Sequence, residues 1–206
     1  MNLKRVTAAV VCFIACNYVL AATEAAEDRD VWKIVENCDT FFLIRRTHHC
    51  VQCKGACWFA RVDNKTESNH TFVMTMGLYN DATGAFDEMT VYGITKVGSE
   101  GVRSIMVLSV FPYRDNGLEY QKIYSDGQGC HILKVTRPVP PLGEDAMDAC
   151  EMWATKEVAP TLNVMSPCEV EYQKRCNNTD NDDTPYVTTC ETPQRKLPLP
   201  FVPFFQ

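Results

Sequence analysis

The sequence predicts an all-β domain, an antiparallel up-and-down meander closed into a barrel. Three observations predict it: strand-like runs succeed one another from about residue 40 to 137, short turn-forming segments separate them, and helical signals are confined to the flanks. Consecutive strands joined by short turns give a meander, and closing the meander removes its exposed edges.

The elements follow in order. Asp28 to Asn37 carries Val31, Ile34 and Val35 at helical spacing behind acidic residues, so a short helix precedes the barrel. Thr40 to Arg46 is rich in β-formers and opens the strands. In Thr71 to Tyr79, Phe72, Met74, Met76 and Leu78 fall on one face at period two. Phe86 to Lys96, Arg103 to Phe111, Leu118 to Tyr124 and Cys130 to Thr136 continue the pattern. The separators Asn80–Gly84, Gly98–Gly101, Arg114–Gly117 and Ser125–Gly129 supply Asn, Asp and Gly, which tolerate the positive φ of hairpin turns. Ser166-Pro167 reads as an N-cap and first-turn proline opening a helix to about Cys176. The tail after Cys190 is rich in proline and phenylalanine and carries no pattern of regular structure.

The first residues set the compartment. Lys4 and Arg5 precede an apolar run, Ala8 to Leu20, too short to span a bilayer, and cleavage is expected after Ala21. The expected organisation is a signal peptide at 1–21, one barrel domain at 22–190 and a tail at 191–206. Cleavage removes Cys12 and Cys16 and two positive charges, leaving nine of the eleven cysteines and moving the formal charge from −6 to −8. Nine cysteines in an oxidising compartment read as a disulfide framework with one left over. The sequons at Asn64, Asn69 and Asn177 agree with secretion. The acidic balance leaves no basic footprint for nucleic acid and no attraction to anionic membranes.

No nucleophile triad, phosphate loop or metal-protease motif is present, so no enzyme and no cofactor are expected. His48-His49-Cys50-x-x-Cys53 has residue types that suit zinc. No second C-x-x-C or paired histidines follow at finger-like spacing, so the cysteines are assigned to disulfides and not to a metal. A small secreted barrel with a lumen is, by default, a container for a small ligand.

Cys130-His-Ile-Leu, then Glu151-Met-Trp153, then Cys168 and Cys176 resembles the end of the tick salivary lipocalins, the histamine-binding protein family. Thr40–Arg45 and Ile123–Asp126 extend the likeness to most of residues 28–176. The resemblance implies an eight-stranded lipocalin barrel with a C-terminal helix packed outside. It also implies sequestration of a host mediator by a monomer: an amine such as histamine or serotonin first, a lipid mediator such as a leukotriene or fatty acid second. A different class of partner, a host protein inhibited through the loops and tail, is the rival. Glu151 and Trp153, two apart on a strand, share a face; a carboxylate beside an indole suits an organic ammonium. The family's acid on a middle strand corresponds to Glu88, expected on a face with Thr90 and Tyr92. The family's Asp after the first cysteine of the motif is here His131, on the face of Leu133 and Val135, which gives no opposite charge when neutral. The family's pattern also implies the disulfides Cys57–Cys190 and Cys130–Cys168, leaving Cys38, Cys50, Cys53, Cys150 and Cys176 unassigned.

Overall fold

The protein is described from a computed structural model over residues 29–36, 40–48, 56–80, 82–140, 142–176, 183–187 and 190. The expected signal peptide at 1–21 and tail at 191–206, with Asn177, Cys38, Cys50 and Cys53, lie outside these residues. Eight antiparallel strands close into one barrel in sequence order: β1 (Thr40–Arg46), β2 (Ala56–Thr66), β3 (Thr71–Asn80), β4 (Ala85–Lys96), β5 (Ile105–Ser109), β6 (Leu118–Ser125), β7 (Cys130–Arg137) and β8 (Cys150–Thr155). Closure is made by β8 on β1, with Phe41 opposite Thr155, Leu43 opposite Trp153 and Arg46 opposite Glu151. A bulge between Leu43 and Arg45 shifts that register by one residue.

Period two divides each strand between lumen and exterior. Phe41, Leu43, Phe72, Met74, Val91, Leu133 and Trp153 form the inner cluster. Phe42, Ile44, Ile132, Met152 and Ala154 form an outer one with the C-terminal helix. Apolar surface is thus buried on both sides of one wall, at a gain of about 25 cal/mol per Å². The inward face of β3 is the one its alternation indicates: Phe72, Met74, Met76 and Leu78 all reach the lumen. Gly93 stands opposite Phe72 in the β3–β4 register. A Cβ there would sit 2.0 Å from the Phe72 ring, so the strand keeps glycine where a buried aromatic ring crosses it.

The floor is closed by α1 (Trp32–Glu36), shorter than the 28–37 span its periodicity suggests. The Asp30 carboxylate accepts from the Trp32 backbone N–H at 2.9 Å and caps it. Trp32, Ile34 and Val35 are buried, and Trp32 meets the His70 ring edge-on at 5.0 Å. The helix α2 (Pro167–Arg175) lies outside against β6 and β7, opened by the Ser166 cap and proline that the sequence signals. Cys130–Cys168 joins its start to β7, Cys150–Cys176 joins its end to β8, and Cys57–Cys190 ties β2 to the last described residue. Both pairings implied by the family pattern are thus formed, together with a third that sequence left open.

Strand β5 is shorter than the Arg103–Phe111 run, and β2 has no place among the runs read from alternation. Its second half, Asp63 to Thr66, is polar and mostly exposed, which erases the alternation. Asn64 is exposed on that strand rather than in a loop, and exposed Asn69 sits in the turn that follows it.

Candidate ligand-binding site

The lumen holds a chamber of about 520 Å³ at the end where β3 meets β4, β5 meets β6 and β7 meets β8. That volume lies within the range of small-molecule pockets. A second void of about 40 Å³, room for about a water or two, lies toward α1. Tyr120, Glu151 and Trp153 wall both.

Glu151 is the centre of this wall. Its strand position turns it inward with Trp153, while Cys150 and Met152 turn out. The carboxylate is almost wholly buried and accepts three hydrogen bonds: from His48 Nε2 at 2.8 Å, Tyr120 Oη at 3.0 Å and Trp153 Nε1 at 2.8 Å. Burial alone pushes such a carboxyl up. The His48 hydrogen bond and charge, with the Trp153 and Tyr120 bonds, outweigh burial and hold it below its ordinary value. Glu151 is therefore ionised in the lumen. Burial and the neighbouring Glu151 charge push the Tyr120 hydroxyl well above its ordinary range, so Tyr120 stays a donor. A carboxylate has about four lone-pair sites. Among the described residues three are taken, and the fourth, on the oxygen that meets Trp153, is left for a ligand.

His48 reaches Glu151 because pairing of β1 with β8 continues one residue past the strand. Thr47 N donates to Cys150 O at 3.0 Å, and Cys150 N donates to the Thr47 hydroxyl at 2.9 Å. Arg46, opposite Glu151, also lines the chamber and is paired with Asp183 through Nε at 3.0 Å and Nη2 at 2.7 Å.

A model of the family described as tick histamine binding protein matches residues 19–192. The chain belongs to the tick histamine-binding protein family. No curated protein matches the sequence. Among solved structures, it is similar to AM182 in its serotonin complex, with TM-score 0.53 and 13% identity over 84% of this chain and 94% of that one. It is also similar to japanin from Rhipicephalus appendiculatus bound to cholesterol, with TM-score 0.50 and 14% identity over 75% of this chain and 96% of that one. The fold is the lipocalin barrel, and the protein is a small-ligand-binding lipocalin.

The family acids now have places. Glu151 and Trp153 come together in the lumen. Glu88 does not join them: it shares a face with exposed Thr90 and with Tyr92, which leans on Tyr113 with ring centroids 5.6 Å apart, and that face is the outer one. Glu88 meets the chamber only at its edge. Alternation from buried Val91 through Met89 puts Asp87 on the inward face instead, where Asn80 Nδ2 donates to it at 2.9 Å. His131 lines the small inner void, beside Phe41 with ring centroids 5.6 Å apart and with Nδ1 3.0 Å from the Ser125 hydroxyl. Burial and the Lys122 charge push it down to about 3, so it is neutral near pH 7 and provides polarity without charge. Among the described residues the only trio close enough to hold a metal is Asp126, Cys130 and Cys168, and its two sulfurs are spent on a disulfide.

The sequence reading did not single out Arg46, Trp58, Asp87 or Tyr120, and it weighed His48 only as part of a zinc cluster. The inward parity of Asp87 could have been read from Met89 and Val91, and that of Tyr120 from its alternation with Leu118. Nothing local marks His48 as the partner of Glu151, which is 103 residues away.

Proposed function

We propose that the protein is secreted and sequesters a small organic ammonium, a host amine, one ligand to one monomer and without turnover. The observation that carries this reading is Glu151, an ionised carboxylate inside an otherwise largely apolar lumen with an indole beside it. An ammonium donating to the free Glu151 lone pair gains a charge-assisted hydrogen bond, and the Trp153 ring adds cation–π attraction of about 0.5–2 kcal/mol. Asp87 at the mouth supports capture by adding negative potential along the entry path.

A lipid mediator is the second reading, favoured by the size of the chamber and by walls of Met76, Leu78, Met89, Leu108 and Leu118. Calorimetry and thermal shift with histamine, serotonin, a leukotriene and a fatty acid separate the two. Saturable one-to-one binding of an amine supports the first reading, and binding of lipids alone supports the second. Silence across the panel points to a protein partner. Glycans on Asn64 and Asn69 belong to the same proposal; both lie at the floor end or on the outer wall, where they leave the mouth clear.

A further inference from the structure

We infer that the chamber favours zwitterionic ligands, in which a carboxylate lies beside the ammonium, over the bare amine. This rests on the reading that Glu151 takes an ammonium. Glu151 and Arg46 are register partners across β8 and β1, so their side chains leave the same wall about 5 Å apart at the backbone. Arg46 is only 5% exposed, yet just one edge of its guanidinium is used. Nε and Nη2 both meet Asp183 Oδ2, and Nη1 has no hydrogen bond among the described residues. A guanidinium offers a second, end-on edge to a carboxylate through Nη1 and Nη2.

Two further polar atoms lining the chamber lack partners among the described residues. Trp58 Nε1, which can only donate, is buried without an acceptor, and His48 Nδ1 is likewise buried and unpaired on a residue 4% exposed. Buried polar atoms without partners are rare in folded proteins. A ligand acceptor group in the chamber would satisfy the Trp58 N–H, and a ligand donor would satisfy His48 Nδ1, which accepts when Nε2–H faces Glu151.

Charge balance points the same way. Glu151 and Arg46 stand as opposite charges across the β8–β1 pair, and Asp183 meets only one edge of the guanidinium. Asp87, at the rim and bonded to Asn80, and Glu88 at the outer edge are the other acids that meet the chamber. A bare ammonium brings an uncompensated positive charge beside Arg46. An ammonium with an adjacent carboxylate brings none, and each half has a partner in place: Glu151 for the cation, the free Arg46 edge for the anion.

The test is calorimetry of the full secreted chain near neutral pH with two matched pairs, histidine with histamine and tryptophan with tryptamine, and with imidazole acetate as the carboxylate alone. The amino acid of each pair should bind about tenfold tighter than its amine. Arg46→Gln should erase that difference, and Arg46→Lys should restore part of it; the comparison in the unmodified protein stands even if neither variant folds. Tighter binding of the amine in both pairs overturns the inference and leaves the amine reading intact. Imidazole acetate binding as well as histidine overturns it too, because Glu151 would then hold no cation. Silence from all five compounds removes both readings together.

Discussion

Strand β8 presents two surfaces from six consecutive buried residues, Cys-Glu-Met-Trp-Ala-Thr, and the two could hardly be held more differently. Its outer face, Cys150, Met152 and Ala154, is packed under α2 and stapled to it covalently. Its inner face, Glu151 and Trp153, is held by hydrogen bonds from residues 31 and 103 positions away in sequence and borders open volume. The outer face therefore fixes where the strand lies. The inner face is free to carry polar groups that a packed core would reject, because their partners are aimed at them by a wall that cannot shift.

Loss of the outer staple is the largest way to break this contrast. The Cys150–Cys176 bond closes a loop of 26 residues, for which chain entropy gives about 3.5 kcal/mol of stabilisation. A Cys150→Ala, Cys176→Ala double variant should lose about that much in urea unfolding. A loss under about 1 kcal/mol would mean that packing of Tyr172 and Met152, with the Cys130–Cys168 bond to β7, holds α2, and the outer face of β8 would owe little to its own covalent bond.

The inner face is tested next, through Glu151→Gln. Near isostericity does not make this change innocent. An amide can turn its oxygen to His48 and Tyr120, but its NH₂ then meets the Trp153 N–H, donor against donor. Stability should fall by about 1–2 kcal/mol, and amine affinity by about 1.5–3 kcal/mol, or ten- to a hundredfold. An unchanged amine isotherm would remove Glu151 as the recognition group. Unchanged or improved lipid affinity in the same variant would favour the second reading.

Acid sharpens the comparison without any substitution. His131 is held near 3 in the fold against about 6.5 when unfolded, so below pH 6.5 the unfolded chain binds the proton more readily. Stability must then fall as pH drops from about 6.5 toward 3, by about 2 kcal/mol between pH 7 and pH 5. The lowered Glu151 pKa acts in the same direction at the bottom of that range, since its contribution is lost as the carboxylate is protonated. His131→Gln should flatten the slope between pH 7 and 5; a slope that survives belongs to another group.

The barrel was legible in sequence because alternation and turn chemistry are local. Each run of β3, β4, β6 and β7 carried its own period, and the glycine and asparagine turns fixed the hairpins between them. The strands with weaker local signals were β2, whose far half is polar on both faces, and β8, whose two buried faces hide the period. The site was legible only in part. Glu151 and Trp153 share a strand and so a parity. Their partners His48 and Tyr120 arrive through barrel closure and through β1 pairing past its last residue, which no spacing records. Cys150 and Cys176 could not be paired from sequence because five cysteines then remained open, and only the placement of α2 brings those two within bonding distance.

Strand β4 supplies the smallest effect and the cleanest contrast of inside with outside, since its two acids are adjacent and differ only in parity. Asp87 is turned into the mouth, half-buried, with one oxygen on Asn80. Glu88 is exposed on the outer face, where water screens its charge. Asp87→Asn removes a negative charge from the entry path without touching the Glu151 wall, so it should weaken amine binding by about 0.5–1 kcal/mol, two- to fivefold, mostly through a slower on-rate. Glu88→Gln should stay within about twofold of wild type in the same calorimetric and stopped-flow titrations, because a screened outer charge contributes little. Raising the salt concentration should shrink the Asp87 effect and leave Glu88 as it was. If Glu88→Gln instead cost the larger part of the affinity, the ligand would be approaching across the rim from outside, and the inward parity of Asp87 would not be what selects it.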